Sequence, residues 1–326
     1  MRWLAPAGGG AALSTFIFHR VLERDDPLRV GEPDAARFER IVAFITRHFQ
    51  VLPLADAAAR LTAGRLPAAA ACITFDDGYA DNLTIAAPIL QRHGATATVF
   101  VATAYSDGSR MWNDSVIEAV RAAPAGELDW RDVGLGQHRL GDDDSRRALV
   151  HSTLSTLKYK EIDERAAIAN ELAQRCGLPQ QCSLMLSPAQ MRQWRELGFD
   201  VGGHTIQHPI LSRLNDEHAA HEIAGGRAQL AQWLGEAPRA FAYPNGVPGR
   251  DYGPRDVALV KRAGYGCAVS TARGAATRIN DPYQLPRYLP WDRKMWAFGL
   301  RCARTLFQTG RAAARGSVGE NMEVRS

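Results

Sequence analysis

The sequence lacks most of what would sort it quickly. No G-x-G-x-x-G follows its apolar strand-like runs, so a dinucleotide-binding reading fails; a phosphate-binding P-loop is missing too, and no G-x-S-x-G supports a serine hydrolase. No apolar run approaches the about 20 residues that span a membrane. The first ten residues, MRWLAPAGGG, carry no continuous apolar core of the signal-peptide kind. Cysteine is sparse and odd in number: Cys72, Cys176, Cys182, Cys267 and Cys302 form no C-x-x-C pair and no disulfide framework. Cys72 and Cys267 lie in apolar runs, where a free thiol acts as a small buried hydrophobe. Charge of one sign is lacking as well. A formal net charge of +4 over 326 residues is too thin for a general nucleic-acid binder. The expected location is cytoplasmic, with the inner membrane face within reach.

What remains is an ordinary globular composition, 46% hydrophobic, long enough for one large α/β domain. Its centre is Cys72-Ile73-Thr74-Phe75-Asp76-Asp77-Gly78-Tyr79. An apolar run from Ala68 to Phe75 ends in two carboxylates and a glycine, the pattern of a buried strand and a tight turn. In barrels and open α/β sheets, strand ends carry the chemistry. Adjacent like charges there need a nearby cation, or one must hold a proton. A metal on one and a base role for the other would satisfy both. Alone, Asp-Asp-Gly is an ordinary polar turn. The second stretch, Gly202-Gly203-His204-Thr205-Ile206-Gln207-His208-Pro209, puts two histidines four residues apart after another strand-like end. Imidazole and carboxylate suit zinc and similar divalent ions, and a catalytic site keeps three protein ligands and an open position. Asp77, His204 and His208 make such a set.

T-F-D-D-G at 74–78 and H-T-x-x-H-P at 204–209 resemble the first two motifs of the polysaccharide deacetylases, the NodB-like enzymes of carbohydrate esterase family 4. The resemblance runs from about Thr15 to Trp291. It implies a distorted (β/α)7-type barrel, with about seven strands expected here. It also implies metal-dependent removal of N-acetyl groups from an amino-sugar glycan, with zinc as the expected ion and a carbohydrate as partner. By motif position Asp76 becomes the general base. Phe18-His19-Arg20-Val21 matches an N-terminal Y-H-x-V-like element of a circularly permuted branch, with Phe for Tyr, which suggests His19 as general acid. Phe241-Ala242-Tyr243-Pro244-Asn245-Gly246 resembles the third motif, and the oxyanion-binding backbone N–H would come from near Tyr243 or Asn245. Many members have an arginine where Ala242 stands, thought to orient the base. Arg287, in Leu285-Pro286-Arg287, is the candidate substitute, and a surface charge is its other reading. Two further readings stay open: a deacylase or deformylase of a small or lipid-linked amino sugar, and a non-catalytic carbohydrate-binding protein.

Along the chain, 1–14 reads as a loose lead-in, 15–292 as the deacetylase domain with an insert at about 103–186, and 293–326 as a basic helix and tail, disordered from Gly316. In the insert, Trp112 opens a helix and serves either as a sugar platform or as a packing anchor. Two strands near Leu128 and His138 suggest a hairpin, and Asp142 to Cys176 suggests two charged helices. No catalytic group is evident there, and shaping substrate access is its expected role. Ser187-Pro188-Ala189-Gln190 starts a helix with a capping box. Pro209 predicts that His208 sits at a helix N-terminus. Basic residues interleaved with Trp296, Phe298, Leu300, Leu306 and Phe307 form a helix that packs on the domain or touches a membrane surface.

Overall fold

The computed structural model describes residues 1, 4–290 and 292–323, with side chains through 309. Trp291 lies outside them. In chain order the first elements are β1 (Leu13–Phe18), α1 (Ala35–His48), β2 (Gln50–Val51), α2 (Leu54–Thr62), β3 (Ala70–Phe75), α3 (Ala87–Arg92) and β4 (Thr98–Val101). The insert follows: α4 (Trp112–Ala122), β5 (Gly126–Trp130), β6 (Gly136–Leu140), α5 (Asp143–Leu157) and α6 (Ile162–Arg175). Then come α7 (Pro188–Glu196), β7 (Asp200–Gly203), α8 (Asp216–Leu234), β8 (Ala240–Ala242), α9 (Pro254–Arg262), β9 (Cys267–Arg273), β10 (Leu285–Arg287) and α10 (Met295–Glu323).

Strands β1-β3-β4-β7-β8-β9-β10 pair in that order, all parallel, with β2 added beside the first two residues of β3. Every residue of β1 and β3 is buried, as strands covered on both faces should be. The ring closes just beyond β10. Ile17 N–H donates to the Tyr288 carbonyl at 2.9 Å, and Tyr288 N–H donates to that of Thr15 at 2.7 Å. Closure is irregular because the β9–β10 register shifts between Leu285 and Arg287, where Pro286 has no N–H to offer a ladder. The architecture is a distorted parallel barrel wrapped by helices, as expected. Helices α1, α3, α7 and α10 cover one side through Phe38, Ile41, Leu90, Trp194 and Phe298. The Ser187 capping box on α7 forms as the sequence predicts.

The insert folds around its own core of Val116, Val120, Trp130, Leu140, Leu149, Leu157 and Leu172, with β5 and β6 as the antiparallel hairpin. Buried Asp114 ties it to the barrel: it accepts from Tyr79 Oη at 3.0 Å and from Arg29 at 2.6 Å.

The lead-in is not loose. Ala5, Ala11 and Ala12 are buried, Ala5 O accepts from Ala69 N–H at 2.9 Å, and Gly8 N–H donates to Leu66 O at 2.9 Å. Small side chains let this polar-poor segment lie flush on the barrel. At the other end α10 continues to Glu323, past Gly316, since no proline interrupts that stretch. The five cysteines are free. Among the described residues no helix is long and apolar enough to cross a membrane.

Candidate active site

The C-terminal ends of β1, β3, β7, β8 and β10 converge on one cavity of about 650 Å³, lined by His19, Asp76, Asp77, His204, His208 and Asn245 among others. At the end of β3 the backbone leaves the extended region abruptly. Asp77 has φ 74° and Gly78 has φ 87°. A Cβ on Gly78 would meet the Val101 side chain at 3.1 Å, so the turn needs glycine for both conformation and space. Thr205 (φ 68°), His208 (φ 54°) and Asn245 (φ 57°) are also left-handed. Non-glycine residues held there cluster where surrounding structure fixes a functional geometry.

The two adjacent carboxylates have separate partners. Asp76 receives both arms of the buried Arg287 guanidinium, Nη1 to Oδ1 at 2.7 Å and Nη2 to Oδ2 at 2.8 Å. Arg287 is braced by Nε–H donating to Ser270 O at 2.9 Å. Burial alone would favour the neutral acid at Asp76, but the guanidinium outweighs it and holds the carboxyl below its usual range. Asp77 faces imidazoles instead. Its Oδ1 lies 3.5 Å from His204 Nε2 and 3.4 Å from His208 Nε2. Burial opposes ionisation here too, yet the histidines depress this acid strongly. His204 Nδ1 stands 2.7 Å from the Ala242 carbonyl, a contact that orients the ring with Nε2 toward Asp77. Burial pulls the His208 pKa down to about 3, against the opposing pull of Asp77.

Those three donor atoms lie within 4.8 Å of one another. Asp77 Oδ1 is buried without a hydrogen-bond donor. Bonds of about 2.0–2.2 Å from a tetrahedral centre would set neighbouring ligand atoms about 3.3–3.6 Å apart. The two Asp77–histidine spacings match that, the three donor atoms stay within 4.8 Å of one another, and the donor set suits a divalent cation.

The expected N-terminal helix position for His208 is not what forms. Pro209 disfavours the helical region for the residue before it, and His208 turns left-handed on a loop ahead of a single 3-10 turn, Leu211–Arg213. The loop is held by Glu222 of α8, whose Oε2 accepts from Ile206 N–H at 2.8 Å and Gln207 N–H at 2.9 Å. Sequence reasoning passed over Glu222. The available signal was Gly225-Gly226 in mid-helix: a Cβ at 226 would sit 2.9 Å from Thr205 O, so α8 comes unusually close to this loop.

His19 lies at the end of β1 and lines the cavity; Asp76 N–H donates to Phe18 O at 2.9 Å, tying the two strand ends together. Burial lowers its pKa, but Asp77, Glu32 and Asp76 more than offset that, and the net shift is upward from 6.5. Tyr243 does not serve the site. Its N–H is spent on Val269 O at 3.3 Å, its ring stacks on Tyr252, and its hydroxyl donates to Tyr283 O. The strand-end ladder claims its backbone, which leaves Asn245, a residue of the cavity lining, as the remaining candidate of the pair. Trp112 lines the cavity beneath the Arg165 guanidinium, which lies 4.8 Å from the ring centroid.

A parallel barrel with a carboxylate–dihistidine set and a separate arginine-held carboxylate at its strand ends has the chemistry that metal-assisted hydrolysis requires. The polysaccharide deacetylase family profile matches residues 63–125 and 141–268, and the chain belongs to that family. It is therefore a hydrolase of amide-linked acetyl groups on carbohydrate, and the family uses a divalent metal. YxkH of Bacillus subtilis (strain 168), whose name assigns it to the polysaccharide deacetylases, is 21% identical over 279 residues, covering 85% of this chain and 71% of its own. The fold is shared with the Streptococcus pyogenes deacetylase PplD, solved in complex with acetate (TM-score 0.58, 18% identity, 86% of this chain and 93% of that one). It is shared too with IcaB from Ammonifex degensii (TM-score 0.55, 17% identity, 93% and 98%).

Proposed function

We propose that Asp77, His204 and His208 hold zinc and that Asp76, His19 and Asn245 carry out N-deacetylation of an amino-sugar glycan around it. The observation behind this reading is the division of labour between neighbouring carboxylates: Asp76 on an arginine fork, Asp77 on two imidazoles. A bound divalent ion supplies Lewis-acid charge, which lowers the pKa of a water and polarises a carbonyl. Asp76, ionised and aimed by Arg287, takes the proton of the attacking water. The water oxygen bonds to the acetyl carbon, and the N–H of Asn245 donates to the oxyanion that develops. As the C–N bond breaks, His19 gives its proton to the departing nitrogen. Acetate and a free amine result. Peripheral membrane contact is part of the proposal, because α10 docks through Phe298, Cys302 and Leu306 while Trp296 and Leu300 stay 69% and 64% exposed.

Asp76→Asn tests the base. It should retain metal and lose about two to four orders of magnitude in acetate release from N-acetylated glycans. Near-normal turnover in that variant would sink the assignment.

A further inference from the structure

The insert places unpaired positive charge on the cavity wall. Arg165, in the first turns of α6, is only 4% exposed. Its side chain makes no hydrogen bond or ion pair with any described residue, and its Nε is buried without an acceptor. The other two arginines buried among the described residues are both paired, Arg287 with Asp76 and Arg29 with Asp114. Arg165 instead lies over Trp112, its guanidinium carbon 4.8 Å from the ring centroid, and it lines the same cavity as Asp76 and Asp77. A buried charge left unpaired is costly, and native structures keep such a group where something outside the chain satisfies it.

Lys158, at the end of α5, lines this cavity too, half-buried and without an ion pair. No acid of the cavity is free for either cation: Asp76 is on Arg287, Asp77 on the histidines, and Glu32 accepts from Arg20 N–H and lies 4.0 Å from His19. An arginine fork backed by an aromatic ring suits a planar carboxylate or a phosphate; a neutral glycan would offer it hydrogen-bond acceptors but no countercharge.

We infer that Arg165 and Lys158 form an oxyanion subsite, and that the glycan processed here carries a phosphate or a carboxylate beside the acetylated sugar. This rests on the deacetylase reading of the cavity and names the substrate class within it.

The test is calorimetric titration of chelator-stripped protein, so that no metal–oxyanion contact contributes. The probes are N-acetylglucosamine 1-phosphate, a disaccharide of N-acetylglucosamine and glucuronate, and neutral N-acetylglucosamine. At least one anionic probe should bind about 10- to 100-fold tighter than the neutral sugar, the usual worth of hydrogen bonds to a charged group. Which one does so identifies the oxyanion. Arg165→Gln should erase the preference and Arg165→Lys restore part of it. A packing role for Arg165 makes a different prediction. If Arg165 serves a ligand, Arg165→Met should match or exceed the wild-type Tm without ligand, and the preferred anion should raise the Tm of wild type alone.

Equal affinity of wild type for charged and neutral sugars would overturn the subsite. So would a preference that survives both Arg165→Gln and Lys158→Gln. Acetate release from a neutral glycan would then leave the deacetylase reading standing. Anion preference without acetate release from any probe by zinc-loaded protein would count against the deacetylase reading alone.

Discussion

Burial would push both Asp76 and Asp77 toward the neutral acid, and each is kept ionised by a different neighbour. The same reasoning sets the pH response. In the proposed reaction His19 must be protonated to donate; burial lowers its pKa, but Asp77 and Glu32 more than offset that and raise it above 6.5. Activity is therefore expected to hold below that raised pKa and to fall as pH climbs through it. The alkaline limb of kcat/KM should be absent from the residual rate of His19→Ala. A profile with the same alkaline limb in that variant would assign the limb to another group. These residues were legible to different degrees. The Asp-Asp-Gly and His-x-x-x-His pairs are local in sequence, so their chemistry could be read from spacing. The Arg287–Asp76 pair spans 211 positions, and only the missing arginine at Ala242 pointed toward it. Tyr243 misled because its motif position says nothing about which strand takes its N–H.

Helix α8 acts on the site without touching the chemistry. Glu222 caps the histidine loop from outside, and outer partners of metal ligands are worth about 10- to 100-fold in metal affinity. Glu222→Ala should weaken metal binding by that much in a chelator competition. Glu222→Gln, which keeps an acceptor for Ile206 and Gln207, should lose less. Equal losses would point to charge rather than loop positioning. Helix α7 was readable because local chemistry decides its start: Ser187 caps it, as a polar residue before an apolar face should. The loop around His208 was not, because a left-handed residue before proline depends on a helix arriving from elsewhere.

At the scale of the whole molecule, the barrel supplies the reacting groups and the insert supplies the far wall of the cavity through Trp112, Val150, Leu154, Lys158 and Arg165. The insert's helices and hairpin could be read from sequence; that Arg165 would be buried opposite the histidines could not, because nothing local marks a charge as unpaired. Helix α10 turns one apolar face to the barrel and leaves Trp296 and Leu300 outside among exposed basic residues. The proposed membrane contact predicts sedimentation with anionic vesicles that weakens with salt and with Trp296→Ser. Wild-type protein that stays in the supernatant at low salt would remove that part of the account.

Metal content of purified protein, wild type beside His204→Ala, is the decisive measurement for the Asp77–His204–His208 site. Wild type should hold about one divalent ion per chain, lost together with acetate release in the variant. Wild-type protein that holds no metal even after reloading would contradict it, and the chain would then be read as a carbohydrate-binding protein on a deacetylase barrel.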